Sequence, residues 1–188
     1  MLKNISKGGK ILEFLVALFL IFIGAILRLL PHSPNFAPIS AMALFGGVYF
    51  SGRLALIFPI LAMLISDYFL GFYQFSLMAF VYLGFLISVF IGFWLKRNKK
   101  WSKILGASLF SSLLFFLLTN FAVWAFTSWY SKDFSGLIQC YLMAIPFFKN
   151  TLFGDLFYVT LFFGIYQLAE VLIAKKFKVP EKIVIYKK

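Results

Sequence analysis

The sequence predicts an all-α integral membrane bundle of six transmembrane helices, with both termini in the cytoplasm and a proline-rich outer loop between the first two helices. Three observations predict it. Apolar runs recur along the chain, several of them near the ~20 residues that a helix needs to cross a bilayer. The composition is 63% hydrophobic and 13% charged, whereas a soluble domain carries about 25% charged residues, so too few polar side chains exist to cover a surface in water. Finally, 15 of the 18 Lys and Arg residues fall on one side of the alternating spans. The composition excludes a soluble enzyme, a disordered protein and a nucleic-acid-binding domain. The single Cys140 excludes an intrachain disulfide and a multi-cysteine metal cluster. A lone His32 excludes any site that needs two histidines, and the sequence implies neither a metal nor a cofactor.

The first span is expected over residues 11–30, ended by Pro31. Its 20-residue run exceeds the ~7–15 of a signal-peptide core, and no small-residue cleavage pattern follows, so it is read as a retained helix. The second span, residues 39–50, is too short to cross alone. The third covers 54–70, the fourth 75–95, the fifth 104–126 and the sixth 151–173, followed by a basic tail over 174–188. Strands are not expected, because a membrane barrel alternates apolar and polar residues, whereas these runs are apolar on every face, as buried or lipid-facing helices are. The whole chain, 1–188, reads as one transmembrane domain.

Charge sets the direction. With the N-terminus inside, the cytoplasmic segments hold Lys3, Lys7 and Lys10, then Arg53, then Lys96, Arg97, Lys99, Lys100 and Lys103, and finally Lys175, Lys176, Lys178, Lys182, Lys187 and Lys188. Only Arg28, Lys132 and Lys149 lie on the other side, as the positive-inside rule requires. The net charge of +12 is therefore a topology signal divided over four segments, and not the continuous basic face of a nucleic-acid binder. The expected partner is the lipid bilayer, with the basic tail resting on anionic lipid.

Polar side chains concentrate at the outer ends of the spans. Asp67 lies ~20 Å into the third span and Asn120 ~24 Å into the fifth at 1.5 Å per residue. A carboxylate at such depth needs a cavity or a partner, and Arg28 at the end of the first span is the natural one. Asp67 and Arg28 then either staple two helices or belong to a site. Asp155 is read either as a site residue or as an anion favoured by the first turn of the sixth helix, with Asn150 or Thr151 as its N-cap. Glu13 and Glu170 are placed near the inner surface, within reach of water or the basic tails.

The first outer connection, PHSPNFAP over residues 31–38, has three prolines in eight residues, each pushing its predecessor out of the helical region. Either it dips into the outer leaflet, where irregular backbone must line a cavity or be covered by protein, or it is a stiff turn on the outer surface. Gly46 and Gly47 are expected to let another helix approach closely. His32 reads as a satisfied turn histidine or a ligand contact. Cys140 reads as a small apolar side chain, a soft ligand or a nucleophile. Trp124, Trp129 and Tyr130 suit either the aromatic belt of a membrane protein or a stack on a planar ligand.

Three stretches carry a resemblance: LLPHSPNFAPISAMALFGGVYF over 29–50, LTNFAVW over 118–124 and AIPFFKNTLFGD over 144–155. Together they resemble a family of uncharacterised bacterial six-helix membrane proteins, often labelled substrate-binding subunits (S components) of energy-coupling-factor transporters. That resemblance implies capture of a vitamin or related micronutrient near the outer surface of the bacterial inner membrane. It also implies an energising module, made of two ATPases and a coupling membrane subunit, that drives release inward. The chain has no phosphate-binding Gly-rich loop of its own. It departs from S components in its first span, which lacks their A-x-x-x-A docking pattern; Ala37 and Ala41 have that spacing outside it. The expected function is small-molecule binding for uptake, through Arg28, His32, Asn35, Asp67, Asn120, Asn150 and Asp155 with Trp124 as an apolar wall. Two other functions remain open: an intramembrane enzyme using Asp67 and Asp155 as a carboxylate pair, and a scaffold or assembly subunit without a ligand.

Overall fold

The computed structural model describes residues 7–177. Lys3 and the tail lysines Lys178, Lys182, Lys187 and Lys188 lie outside the described residues. Among the described residues all regular structure is helical: α1 (Lys7–Leu29), α2 (Ile39–Tyr49), α3 (Leu54–Leu70), α4 (Phe75–Leu95), α5 (Trp101–Phe126) and α6 (Phe134–Lys176). The third and fourth helices have the expected bounds. The first begins four residues earlier than the sequence implies, the second ends one residue sooner, and the fifth begins at Trp101.

α2 explains the arrangement. It is apolar on every face, and Ser40 through Val48 are all buried. A helix without a polar face has no side to offer solvent, and α2 packs against each of the other five helices. On one side Phe45 meets Phe162, Phe163 and Tyr166 of α6, with the Phe163 ring perpendicular at 5.4 Å. On other sides it has no side chain where its neighbours come closest. A methyl group at Gly46 would run into the ring of Pro59 on α3, and one at Gly47 into the Val89 carbonyl of α4. The two glycines thus have different partners: Gly46 makes room for a proline ring, and Gly47 lets α4 approach backbone to backbone.

The sixth helix corrects the sequence reading. α6 has 43 residues, ~65 Å at 1.5 Å per residue, about twice a bilayer core. It absorbs residues 134–150, which were expected to form an outer loop. Its N-cap is Asp133, whose carboxylate accepts from Gly136 N at 2.7 Å, and not Asn150 or Thr151. The backbone N–H of Gly136 and the Ser131 hydroxyl hold the Asp133 carboxyl below the usual carboxylate range. Pro146 removes a single N–H donor and the helix continues through it, because α5 supports the added turns. There Phe116 and Phe148 pack at 4.4 Å, and the Tyr141 hydroxyl donates to Leu117 O at 2.7 Å. Across the short 127–133 connection, the Lys132 ammonium donates to the Trp124 and Thr127 carbonyls, neutralising the C-terminal end of α5.

The outward surface is apolar, with Phe19, Ile26, Phe69, Phe90, Phe110 and Phe153 each more than half exposed. At the end of the bundle that carries Arg53, the Tyr49 and Tyr166 rings pack tilted at 41° with centroids 3.9 Å apart, and the Lys99 ammonium lies 4.7 Å from the Tyr49 ring centre. Glu13 and Glu170 lie close enough to act electrostatically on both tyrosines, and Lys96 Nζ donates to Phe50 O at 2.8 Å.

Candidate functional site

The site forms where the chain leaves α1 and re-enters the bundle as α2. Ser33, Pro34, Asn35 and Phe36 make a tight turn closed by Phe36 N donating to Ser33 O at 3.0 Å. Proline at the second position and a left-handed residue at the third (Asn35, φ 62°) are what a type II turn demands. Asparagine tolerates that conformation better than other non-glycine residues. The turn is anchored to α6: Asn150 Nδ2 donates to Pro34 O at 3.0 Å. The Phe36 ring packs on Phe157 and Tyr158, and its backbone sits against Gly154, which has no Cβ to obstruct it. The segment is therefore seated on α6, with residues 31–35 exposed and Pro38 buried. Asn35→Gly should leave the melting temperature within a degree or two, whereas Asn35→Val should lower it by several degrees, a strain of roughly 1–3 kcal/mol. Equal melting curves for the two variants would show that the turn is not held in this form.

Beneath this turn lies a cavity of about 240 Å³, lined by Arg28, His32, Asn35, Thr151, Asp155 and Ser40 together with Ala37, Ile39, Leu70 and Phe115. Four of the eight residues singled out in the sequence meet here: Arg28, His32, Asn35 and Asp155. Asp67 is set behind Arg28. Its Oδ1 lies 2.6 Å from Arg28 Nη1, an ionic contact whose angle leaves Oδ1 without a well-directed hydrogen bond. The other oxygen, Oδ2, accepts from the Tyr82 hydroxyl at 2.7 Å. Arg28 also donates to Ser66 Oγ at 2.6 Å. The pair therefore ties α1, α3 and α4 together, as the stapling alternative required.

The remaining three residues lie elsewhere. Asn150 holds the turn. Asn120 Nδ2 donates to Phe116 O one turn back in its own helix, while its carbonyl receives the Cys140 thiol at 3.4 Å. The Trp124 indole donates to Ser131 O in the 127–133 connection. Cys140 is buried between α5 and α6, the position of a small apolar side chain. His32 is exposed at the cavity rim, with Nδ1 3.1 Å from Ser33 O.

Asp155 is not in a first helical turn; it lies 22 residues beyond the N-cap of α6. It is 1% exposed. Its Oδ2 lies 2.6 Å from Ser112 Oγ, and the Ser40 hydroxyl also bears on the carboxylate. The two aspartates are thus held by separate partners, Arg28 and Tyr82 for one and serines for the other. Ser40 and Phe115 were not singled out in the sequence, and Thr151 only as an N-cap candidate. A signal existed for the serine set: Ser108, Ser111 and Ser112 are spaced to share one face of α5, and all three are buried. Ser111 meets Ser88 of α4 at 2.5 Å, so this face forms a polar seam inside an apolar bundle.

The class follows from these features. Among the described residues the regular structure is all helical, four of the helices are long and apolar enough to cross a membrane, and the exterior is apolar, with a cavity of mixed polar and apolar lining at one end. The chain belongs to the family of unknown function DUF6580, whose sequence profile matches residues 10–179. No curated protein and no solved structure matches it.

Proposed function

We propose that the protein is a small-molecule-binding subunit for uptake across the bacterial inner membrane, with the cavity under the 31–38 segment as its binding site. The observation that carries this reading is the cavity itself: concave, part polar and part apolar, and placed at one end of the bundle, as ligand sites are. The charge distribution supports the orientation. The cavity end carries few basic residues, whereas the opposite connections hold Arg53, Lys96, Arg97, Lys99 and Lys100, so the positive-inside rule turns the cavity outward and both termini inward. The resemblance to S components supports an energising ATPase module with a coupling membrane subunit as the source of the driving force.

The test is mass spectrometry of small molecules extracted from the protein purified in mild detergent. One compound at about one per chain is expected, and Ala37→Trp, which fills the cavity from its wall, should abolish it without lowering the melting temperature. A purified wild type without any such compound, together with unchanged cellular uptake of every tested micronutrient on deletion, would favour the scaffold reading instead.

A further inference from the structure

Asp155 is the ionisable group in the cavity that the fold leaves without a counter-ion. Among the described residues it makes no ion pair, and its partners are the hydroxyls of Ser112 and Ser40. Arg28 also lines the cavity, but Asp67 sits 2.6 Å from its guanidinium. The Arg28–Asp67 pair balances itself, which leaves the Asp155 carboxyl without a cation of its own. A lone carboxylate at this depth is expensive unless something neutralises it. The hydroxyls bonded to it solvate the charge but do not cancel it.

We propose that the cavity takes a small organic cation whose protonated nitrogen pairs with Asp155. The proposal rests on the reading of the cavity as a ligand site and deepens it by naming the ligand's charge. Size separates an organic ligand from a bare metal ion: a cavity of about 240 Å³ is far more than one alkali ion fills. The walls agree. Ala37, Ile39, Leu70 and Phe115 offer an apolar face to a carbon skeleton, while Asn35 and Thr151 supply neutral polar groups. An anionic ligand would have to share Arg28 with Asp67 and lie in the same cavity as the Asp155 carboxyl.

Three probes of one size and shape test this: benzylammonium, benzyl alcohol and benzoate, titrated calorimetrically at neutral pH into the full-length protein in detergent. Benzylammonium should bind about tenfold or more tightly than benzyl alcohol, the difference expected for a charge-assisted bond over a neutral one, and benzoate should not bind. Asp155→Asn should bring benzylammonium down to the level of benzyl alcohol, and Ala37→Trp should remove both. Benzoate binding as well as benzylammonium, or sodium chloride reproducing the benzylammonium signal, would overturn the charge assignment while leaving a ligand site in place. So would an Asp155→Asn protein that keeps the wild-type ranking, which would mean that Asp155 is held neutral by its own proton. Failure of all three probes to bind would overturn both the assignment and the site. The wild-type ranking decides the question even if Asp155→Asn does not fold.

Discussion

Arg28→Ala is expected to lower the melting temperature by about 10 °C, through the ~3–5 kcal/mol typical of removing one partner from a buried ion pair. The reason lies on the Asp67 side. That carboxylate is 1% exposed, and without Arg28 it retains only the Tyr82 hydroxyl, which leaves its charge uncompensated inside an apolar bundle. Ser66 Oγ would lose its donor at the same time, keeping only its own bond to Met63 O. Replacing both members, Arg28→Met with Asp67→Leu, should recover most of the loss, since well-packed apolar side chains often equal or better a buried pair. Intrinsic tryptophan fluorescence during heating reads all three proteins. A double variant as unstable as Arg28→Ala would show that the pair contributes through its shape and not through its charge balance.

That pair was legible in the sequence because both members are rare residues in apolar runs, and depth counting alone brings them to the same level. The helices at 54–70 and 75–95 were equally legible, bounded by Gly52 and Arg53 on one side and by the Gly71–Gln74 turn between them. What failed was the extent of α6. Lys149, Asn150 and Thr151 after Pro146 read as a loop ending in a cap, yet a proline costs a helix only local bonds when a neighbour supports it. The support comes from Phe116 and Leu117 on α5, a tertiary contact that no local pattern records. The same error hid the setting of Asp155. Placed near a helix start it needed no partner beyond the macrodipole; placed mid-helix it faces a cavity with only serines beside it. Asn120 was singled out because a polar group at depth demands a partner, and Trp124 as an apolar wall; each bonds a nearby carbonyl instead. Sequence indicates that such a demand exists but not whether the backbone has already met it.

The second large effect is expected at Gly47. A Cβ built there would overlap the Val89 carbonyl and stand 3.0 Å from Gly92 Cα, and one on Gly92 would meet Leu44 O at 2.5 Å. These are backbone atoms within two regular helices, so no side-chain rotation relieves them; α2 and α4 must separate. Overpacking of a core costs about 1–3 kcal/mol and occasionally more, and here the displaced helix touches every other helix in the bundle. Gly47→Ala should therefore lower the melting temperature by about 5–10 °C, and Gly47→Leu should yield no folded protein. Gly106→Ala and Gly164→Ala are the matched controls, because a Cβ at either position meets nothing within 4 Å. There the exchange leaves only the helix preference of alanine, worth ~1 kcal/mol in favour of the variant, so both should melt at or slightly above the wild type. If Gly47→Ala melted with the controls, the backbone contact between α2 and α4 would not be what holds the central helix. The Ser40 end of α2, which forms part of the cavity wall beside Asp155, would then need another support. If it melts far below them, any loss of ligand in Gly47→Ala is a consequence of moving α2, since Gly47 lies two turns from Ser40 along the same helix and does not line the cavity.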